Sequence, residues 1–258
     1  MTAVIAETKG AVLQLTLNRP DSLNAIDEEL IGAMRAHLAD AAGDSVRAVT
    51  IKGNGRGFCA GGDIRTFDKM LEAGGISESM PDRLHEMIED IRNLPKPVIA
   101  VVHGPCAGAG FSLVMACDLA IAADTAKFNL AYAAIALSPD GSSSHFLPRH
   151  VGMKKATEMF MRPRGLSAQE VLDLGLVNQV VPADELEAAG DTLASKLAAG
   201  PTKAFARVKT LMNTTWTNNL HDQLALETKY IVASSKTADF TEGIKAFLDK
   251  RKPEFKGN

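Results

Sequence analysis

The chain has 258 residues, 46% of them hydrophobic and 23% charged. That is enough apolar content for one large domain or a core with an appendage, and it excludes a disordered, collagenous or disulfide-stapled chain. With 28 Lys+Arg against 31 Asp+Glu the formal net charge is −3, so no global field draws the protein to nucleic acid or to an anionic membrane, and an anionic small ligand would need a local basic site. The three cysteines, Cys59, Cys106 and Cys117, have no C-x-x-C spacing, and the chain opens without a basic-then-apolar leader. The expectation is a soluble protein of the reducing cytoplasm. The most apolar runs, 98–102 and 111–123, are too short or interrupted to span a bilayer.

Alternation over 12–17 predicts a strand, ended by the turn residues Asn18-Arg19-Pro20-Asp21. Leu30, Ile31, Met34 and Leu38 recur at helical spacing from Asp27 until Gly43. A buried strand at 48–51 runs into a Gly-rich segment, 53–62. The sequence of strand, loop and helix then repeats with 97–102, 103–110 and 111–116, and further short strands are expected at 119–123 and 177–181. Between the two units, 72–81 (EAGGISESMP) reads as a mobile loop. Alternation of this kind predicts a layered α/β core. Beyond Pro182 the periodicity is helical only, over 183–199, 202–214, 219–233 and 238–249. The expected division is a core carrying the site at 1–190 and a helical, oligomer-forming region at 191–258.

Several chemistries lack their residues. His85-Glu86-Met87-Ile88-Glu89 supplies only the first histidine of a zinc-protease motif, and no other His/Cys pair has metal-ligand spacing. Gly110-Phe111-Ser112-Leu113-Val114 lacks the last glycine of a nucleophile elbow, and Gly61-Gly62-Asp63 has an acid where a phosphate loop needs lysine. No metal or redox cofactor is expected. What remains is two Gly-rich loops, each leaving a buried strand and feeding a helix. Such loops aim backbone N–H groups into a shared space, and two N–H groups converging on one oxygen make an oxyanion hole. Either loop alone would equally serve as a tight turn for helix packing.

Four ordered motifs together resemble the crotonase (enoyl-CoA hydratase/isomerase) superfamily. They are Leu17-Asn18-Arg19-Pro20 with Asn24-Ala25, then Gly57-Phe58-Cys59-Ala60-Gly61-Gly62-Asp63-Ile64, then Pro97-Val98-Ile99-Ala100 with Gly104-Pro105-Cys106-Ala107-Gly108-Ala109-Gly110, and then Asp118. The likeness continues through Gly165-Leu166-Ser167-Ala168 and Gly175-Leu176-Val177 to Phe247-Leu248-Asp249-Lys250-Arg251. His103 and Pro105 depart from the family pattern. The resemblance implies a spiral of β-β-α units with C-terminal helices that build trimers or dimers of trimers. It also implies acyl-CoA thioester chemistry through an enolate held by the N–H groups of Gly62 and Ala109, with coenzyme A arriving as part of the substrate. Position in the motifs implies coenzyme A contacts at Leu23, Ala25, Ala60, Asp63 and Ile64, and implies that Phe247 and Lys250 reach a neighbouring subunit's ligand. An ordinary amphipathic helix is the alternative for Phe247 and Lys250.

The acid and base groups select the reaction. Hydratases of the family use two glutamates, and the matching positions here are Ser112 and Tyr132. The one acid nearby is Asp140, in Leu137-Ser138-Pro139-Asp140-Gly141. In the Δ3,Δ2-enoyl-CoA isomerases and the isomerases of phenylacetate breakdown, whose pattern is similar around Leu147-Pro148-Arg149 and Glu242-Gly243, a single carboxylate stands there. A 1,3 proton shift needs only one base. The resemblance therefore implies an isomerase with Asp140 as its base. Enoyl-CoA hydration is one alternative. Another is the 4-chlorobenzoyl-CoA dehalogenases, which attack the ring with an aspartate at the Asp140 position and pair it with a histidine at the His85 position. Their tryptophan eight residues before the aspartate is Tyr132 here. A third is a non-catalytic thioester- or RNA-binding scaffold, disfavoured for RNA by the charge. From residue type alone, Asp140 also suits a turn or a helix N-cap at 141–142, His85 a pocket-lining or exposed helix position, Tyr132 the acyl pocket wall, and Cys59 and Cys106 small packing positions.

Overall fold

A computed structural model describes residues 2–72 and 74–258. The chain runs β1 (Val4–Lys9), β2 (Val12–Leu17), α1 (Glu28–Asp40), β3 (Ala48–Gly53), α2 (Ile64–Leu71), α3 (Ser79–Asn93), β4 (Val98–Val102), β5 (Pro105–Ala107), α4 (Ala109–Ala116), β6 (Leu119–Ala123) and β7 (Lys127–Asn129). It continues with α5 (Ser143–Val151), α6 (Met153–Met161), β8 (Leu166–Ser167), α7 (Ala168–Asp173), β9 (Gln179–Val181), α8 (Leu186–Ala198), α9 (Thr202–Thr214), α10 (Leu220–Ser234) and α11 (Ala238–Leu248). Short 3-10 turns occupy Pro20–Ser22 and Ala131–Ile135.

The main sheet has the order β1-β2-β3-β4-β6-β9, with β1 and β2 antiparallel and every other pair parallel. A second sheet has the order β5-β7-β8. The chain alternates between them: β4 leads to β5 and then α4, and β6 leads to β7 and then α5. β3 leads to Cys59, which bridges Cys106 in parallel, and then to α2. This is the expected spiral of β-β-α units.

Helices cover both faces of the main sheet, so its parallel strands read as continuous apolar runs; all five residues of β4 are buried. Leu13, Leu15, Leu17, Val49 and Ile51 share one core with α1, α3 and α4, while Val12, Ala48, Ile99, Val101 and Ile121 share the other with Leu186, Ala194 and Ala198 of α8. The boundary expected at 190/191 falls inside α8, whose packing on the sheet runs to residue 198. The alternation in β2 has a different cause from half-burial. Gln14 is buried too, and its Nε2 donates to Asp191 on α8 at 2.6 Å.

β1 lacks a sequence signal because it is an exposed edge strand, buried at Val4 and open along most of its length. The expected loop at 72–81, of which Ala73 lies outside the described residues, ends earlier than its composition suggests. α3 begins at Ser79 and takes Pro81 into its first turn, where a missing N–H costs no hydrogen bond. Among the described residues no helix is long and apolar enough to cross a membrane.

The three thiols are free and buried. Burial pushes Cys59 and Cys117 up to about 12 and Cys106 well above its ordinary value. In the unfolded chain they ionise near 8.5, so above that pH the unfolded state loses protons that the folded state keeps, and stability falls as pH rises. The native protein is expected to leave all three unreactive toward Ellman's reagent at pH 8 and to release them together in guanidinium. Its Tm should fall between pH 8.5 and 10. A thiol that reacts in the native state would contradict this burial.

Candidate active site

The turn after β2 holds the first Gly-rich loop in place. Leu23 and Asn24 both sit at left-handed φ, 52° and 56°, a conformation asparagine tolerates and leucine adopts only under constraint. Asn24 is fully buried. Its Nδ2 donates to the carbonyls of Asn54 and Gly57 at 2.9 and 2.8 Å, and its Oδ1 accepts from the Arg19 N–H at 2.9 Å. The Arg19 guanidinium pairs with Asp27 and Asp63, each at 2.8 Å, and also donates to the Ala25 carbonyl. Asp63 caps α2 through the Arg65 N–H. Burial pushes its carboxyl up, but Arg19 and the Arg65 and Thr66 N–H groups outweigh that and hold it below its ordinary value.

The two Gly-rich loops lie against each other. Cys59 N–H donates to the Pro105 carbonyl at 3.3 Å, and Ala107 N–H to the Cys59 carbonyl at 2.9 Å. Gly110 is obligatory, since a Cβ there would stand 2.4 Å from the Cys59 carbonyl oxygen. Gly61, at φ 102°, brings the loops to contact: a Cβ on it would lie 3.4 Å from the Ala109 nitrogen. Phe111 packs on Phe128 with ring centroids 5.0 Å apart and fixes the first turn of α4. The departures from the family pattern fit this frame, because a His103 ring nitrogen pairs with the Gly55 carbonyl at 2.9 Å and Pro105 sits in β5.

Gly62 and Ala109 both line a cavity of about 450 Å³ that also receives Asp140. Among the described residues neither the Gly62 nor the Ala109 N–H has an acceptor; Ala109 is the first residue of α4, whose opening N–H groups have no partner within the helix. The rest of the wall is mostly aliphatic, from Ile26 and Ile31 through Met80 and Leu84 to Ile135 and Leu137. A larger cavity of about 610 Å³, beside Arg92, Lys209 and Trp216, contains neither loop.

Asp140 is held at both ends. His85 Nε2 lies 2.5 Å from its Oδ1. Three hydroxyls lie within hydrogen-bond reach of its backbone carbonyl, Ser112 Oγ at 3.0 Å, Tyr132 Oη at 2.9 Å and Ser143 Oγ at 2.9 Å. Because each carries one proton, either Ser112 or Tyr132 donates to the carbonyl while the other donates to its neighbour. Ser112 and Tyr132 also bond each other at 2.7 Å. Burial pushes the Tyr132 phenol up to about 12, so at neutral pH it is a proton donor and not a base. Gly141 and Ser142 continue at φ 59° and 75°. The left-handed turn gives α5 its cap at Ser142 without any side-chain bond, which overturns the N-cap reading of Asp140: its carboxylate is free of the helix.

The other expected residues divide. Ala60 and Ile64 line the cavity, and so does Tyr132, with its hydroxyl turned toward Ser112 and the Asp140 carbonyl. Ser112 is fully buried and stands behind the cavity wall, against Tyr132. Leu23, Ala25 and Asp63 are outside the wall as well. Leu23 accepts the Ala60 N–H at 3.0 Å, which sets this turn beside the cavity. His85, on α3, reaches the site through Asp140, with its side chain about half exposed. Phe247 is 83% exposed at the end of α11, Lys250 follows it at φ 54°, and neither lines the cavity. Cys59 and Cys106 are packing residues beneath the loops. Arg19 and Asn24, which their motif positions alone leave without a role, are the residues that hold the turn after β2. The available signal was a buried-type amide and a cation placed in a turn beside two acids.

The chain belongs to the enoyl-CoA hydratase/isomerase family, whose profile matches residues 7–258. It is 36% identical over 264 residues to the 1,2-epoxyphenylacetyl-CoA isomerase of Escherichia coli, covering 100% of this chain and 99% of that one. It is 33% identical over 258 residues to the 2,3-dehydroadipyl-CoA hydratase of the same organism, covering 100% of both. The crystal structure of an enoyl-CoA hydratase from Polaromonas sp. JS666 superposes with a TM-score of 0.91 at 38% identity, covering 98% of this chain and 99% of that one. The protein is thus an enzyme of the crotonase superfamily. Relatives named as isomerase and as hydratase occur at comparable identity, so the reaction must be argued from the site.

Proposed function

We propose that the protein is an acyl-CoA isomerase that moves a double bond by a 1,3 proton shift. The observation carrying this reading is that one carboxylate, Asp140, opens onto the cavity lined by Gly62 and Ala109, whose N–H groups have no acceptor among the described residues, while both positions of the hydratase glutamates hold hydroxyls engaged with each other and with the Asp140 carbonyl. The thioester oxygen would sit between the Gly62 and Ala109 N–H groups. Asp140 takes a proton from C2 of a 3-enoyl thioester, the electrons pass into a dienolate whose charge rests on that oxygen, and the same carboxylic acid returns the proton at C4. Coenzyme A, as part of the substrate, would leave past Ala60 and Ile64 along the turn at Leu23 and Ala25. Hydration would require a second group to hold and polarise water, and Ser112 and Tyr132 are not available for it.

The test is to incubate the protein with a 3-enoyl-CoA, a 2-enoyl-CoA and 4-chlorobenzoyl-CoA separately and identify products by mass spectrometry. Conversion of the 3-enoyl to the 2-enoyl thioester, with only slow water addition, is expected. The His85–Asp140 contact favours one second reading, in which Asp140 attacks an aryl ring and His85 activates water; loss of chloride with a 4-hydroxybenzoyl product would establish it in place of isomerisation.

Within the isomerase reading, His85 is a positioning residue. By donating to Oδ1 it leaves Oδ2 as the basic oxygen and fixes the carboxylate rotamer. Loss of a hydrogen bond to a charged group corresponds to roughly tenfold or more. His85→Ala is therefore expected to lower kcat about tenfold with KM within about twofold, and His85→Gln, which keeps an N–H donor, to recover most of it. An equal loss of kcat in both variants, or a loss carried mainly by KM, would contradict this role. The exposed apolar residues Trp216, between α9 and α10, and Leu220, Ile231, Phe247 and Leu248 of α10 and α11 support a homo-oligomer, which light scattering of the purified protein would detect.

A further inference from the structure

We infer that the acyl cavity selects uncharged acyl groups and excludes thioesters whose chain ends in a carboxylate; this rests on the acyl-thioester reading of the site above. The wall beyond the two N–H groups is built from α1, α2, α3 and the segment 131–140, and nearly all of it is aliphatic or aromatic side chain, including Ile31, Phe67, Met80, Leu84 and Ile135. Its side-chain polar groups are few, and the Ser138 hydroxyl is a neutral one at an exposed position. The Tyr132 hydroxyl points to Ser112 and the Asp140 carbonyl, and among the described residues Asp140 is the one charged side chain of the wall. Cations on the neighbouring helices serve elsewhere: Arg83 pairs with Glu28 at 3.3 Å, Arg35 pairs with Asp90 at 2.7 Å, and Arg65 and Lys69 are exposed on α2 outside the wall.

An ω-carboxylate entering this space would lose water to largely apolar walls without gaining a cation, and the fixed charge it met would have its own sign. Burial of an unpaired carboxylate is among the costliest transfers a protein site can impose, and like charge at close range adds to it. A methyl terminus meets the opposite situation, because its burial against Ile, Leu and Met is favourable. The charge discrimination therefore lies in binding and does not depend on which reaction follows.

Saturated thioesters of equal length separate this inference from the reaction. Affinities of hexanoyl-CoA, adipoyl-CoA and monomethyl adipoyl-CoA for the wild-type protein are measured by calorimetry. Adipoyl-CoA is expected to bind at least about a hundredfold more weakly than hexanoyl-CoA, and the neutral methyl ester to regain most of that loss. Affinities of hexanoyl- and adipoyl-CoA within about threefold would overturn the selectivity while leaving the thioester site in place. A methyl ester that binds as weakly as the free acid would also overturn it, by assigning the loss to length. Failure of all three to bind would overturn the thioester reading together with the inference.

Discussion

Replacing Asp140 by asparagine is expected to abolish double-bond isomerisation, with a loss of about a thousandfold or more, the scale of a general base removed from its transition state. Thioester affinity should stay within about threefold. The substitution is isosteric: the amide oxygen still accepts from His85, and the three hydroxyls on the backbone carbonyl are untouched. The side chain is 35% exposed, so removal of its charge leaves stability nearly unchanged, within the half kcal/mol or so usual for surface positions. What disappears is the one carboxylate of the cavity wall able to carry a proton between C2 and C4. A second readout isolates the first half of that cycle. Hexanoyl-CoA in D2O should exchange its C2 protons in the presence of wild-type protein and should not in the presence of Asp140→Asn. Retained exchange in the variant would place the base elsewhere, and undiminished water addition to a 2-enoyl-CoA would replace the isomerase by a hydratase.

The parts of this site that could be read in the sequence are those in which backbone needs dictate residue type. Gly61, Gly62, Gly108 and Gly110 announce two loops in close approach, and Gly110 is required because Cys59 leaves no room for a Cβ. The strands at 48–51 and 97–102 were legible because burial on both faces demands apolar runs, and the one at 12–17 through its alternation, although Gln14 is buried there too. β1 was not, since an exposed edge strand obeys no such demand. Asp140 was ambiguous because proline before and glycine after it suit a turn as well as a base; only the fold shows that the carboxylate caps nothing. Ser112 and Tyr132 could be placed by motif but not understood. Each looked like a catalytic group lost, whereas together they grip a carbonyl, a contact between residues 112, 132 and 140 that has no periodicity to betray it. Asp63 illustrates the converse: a motif acid expected at coenzyme A is engaged with Arg19 and the first turn of α2.

Ala109→Pro tests the other half of the chemistry. Position 109 opens α4, where the fixed φ of proline suits a helix and its missing N–H removes no intrahelical bond. The residue before it is Gly108 at φ 48°, and glycine is the residue least restricted by a following proline because the clash falls partly on Cβ. The substitution thus deletes one unpartnered N–H at the cavity wall and leaves the helix its other bonds. If that N–H stabilises the enolate oxygen, kcat should fall by about a hundredfold to a thousandfold, the range for loss of one oxyanion donor. Affinity for a saturated thioester should fall much less, because a neutral carbonyl gains less from the donor than the enolate does. An unchanged Tm and helix signal would show that the fold is intact. The ring also occupies the space where the N–H pointed, so the split between kcat and affinity is the informative quantity: equal losses in both would mean that crowding, not charge stabilisation, accounts for the effect. Activity within tenfold of wild type would mean that Gly62 alone, or another donor, holds the developing charge.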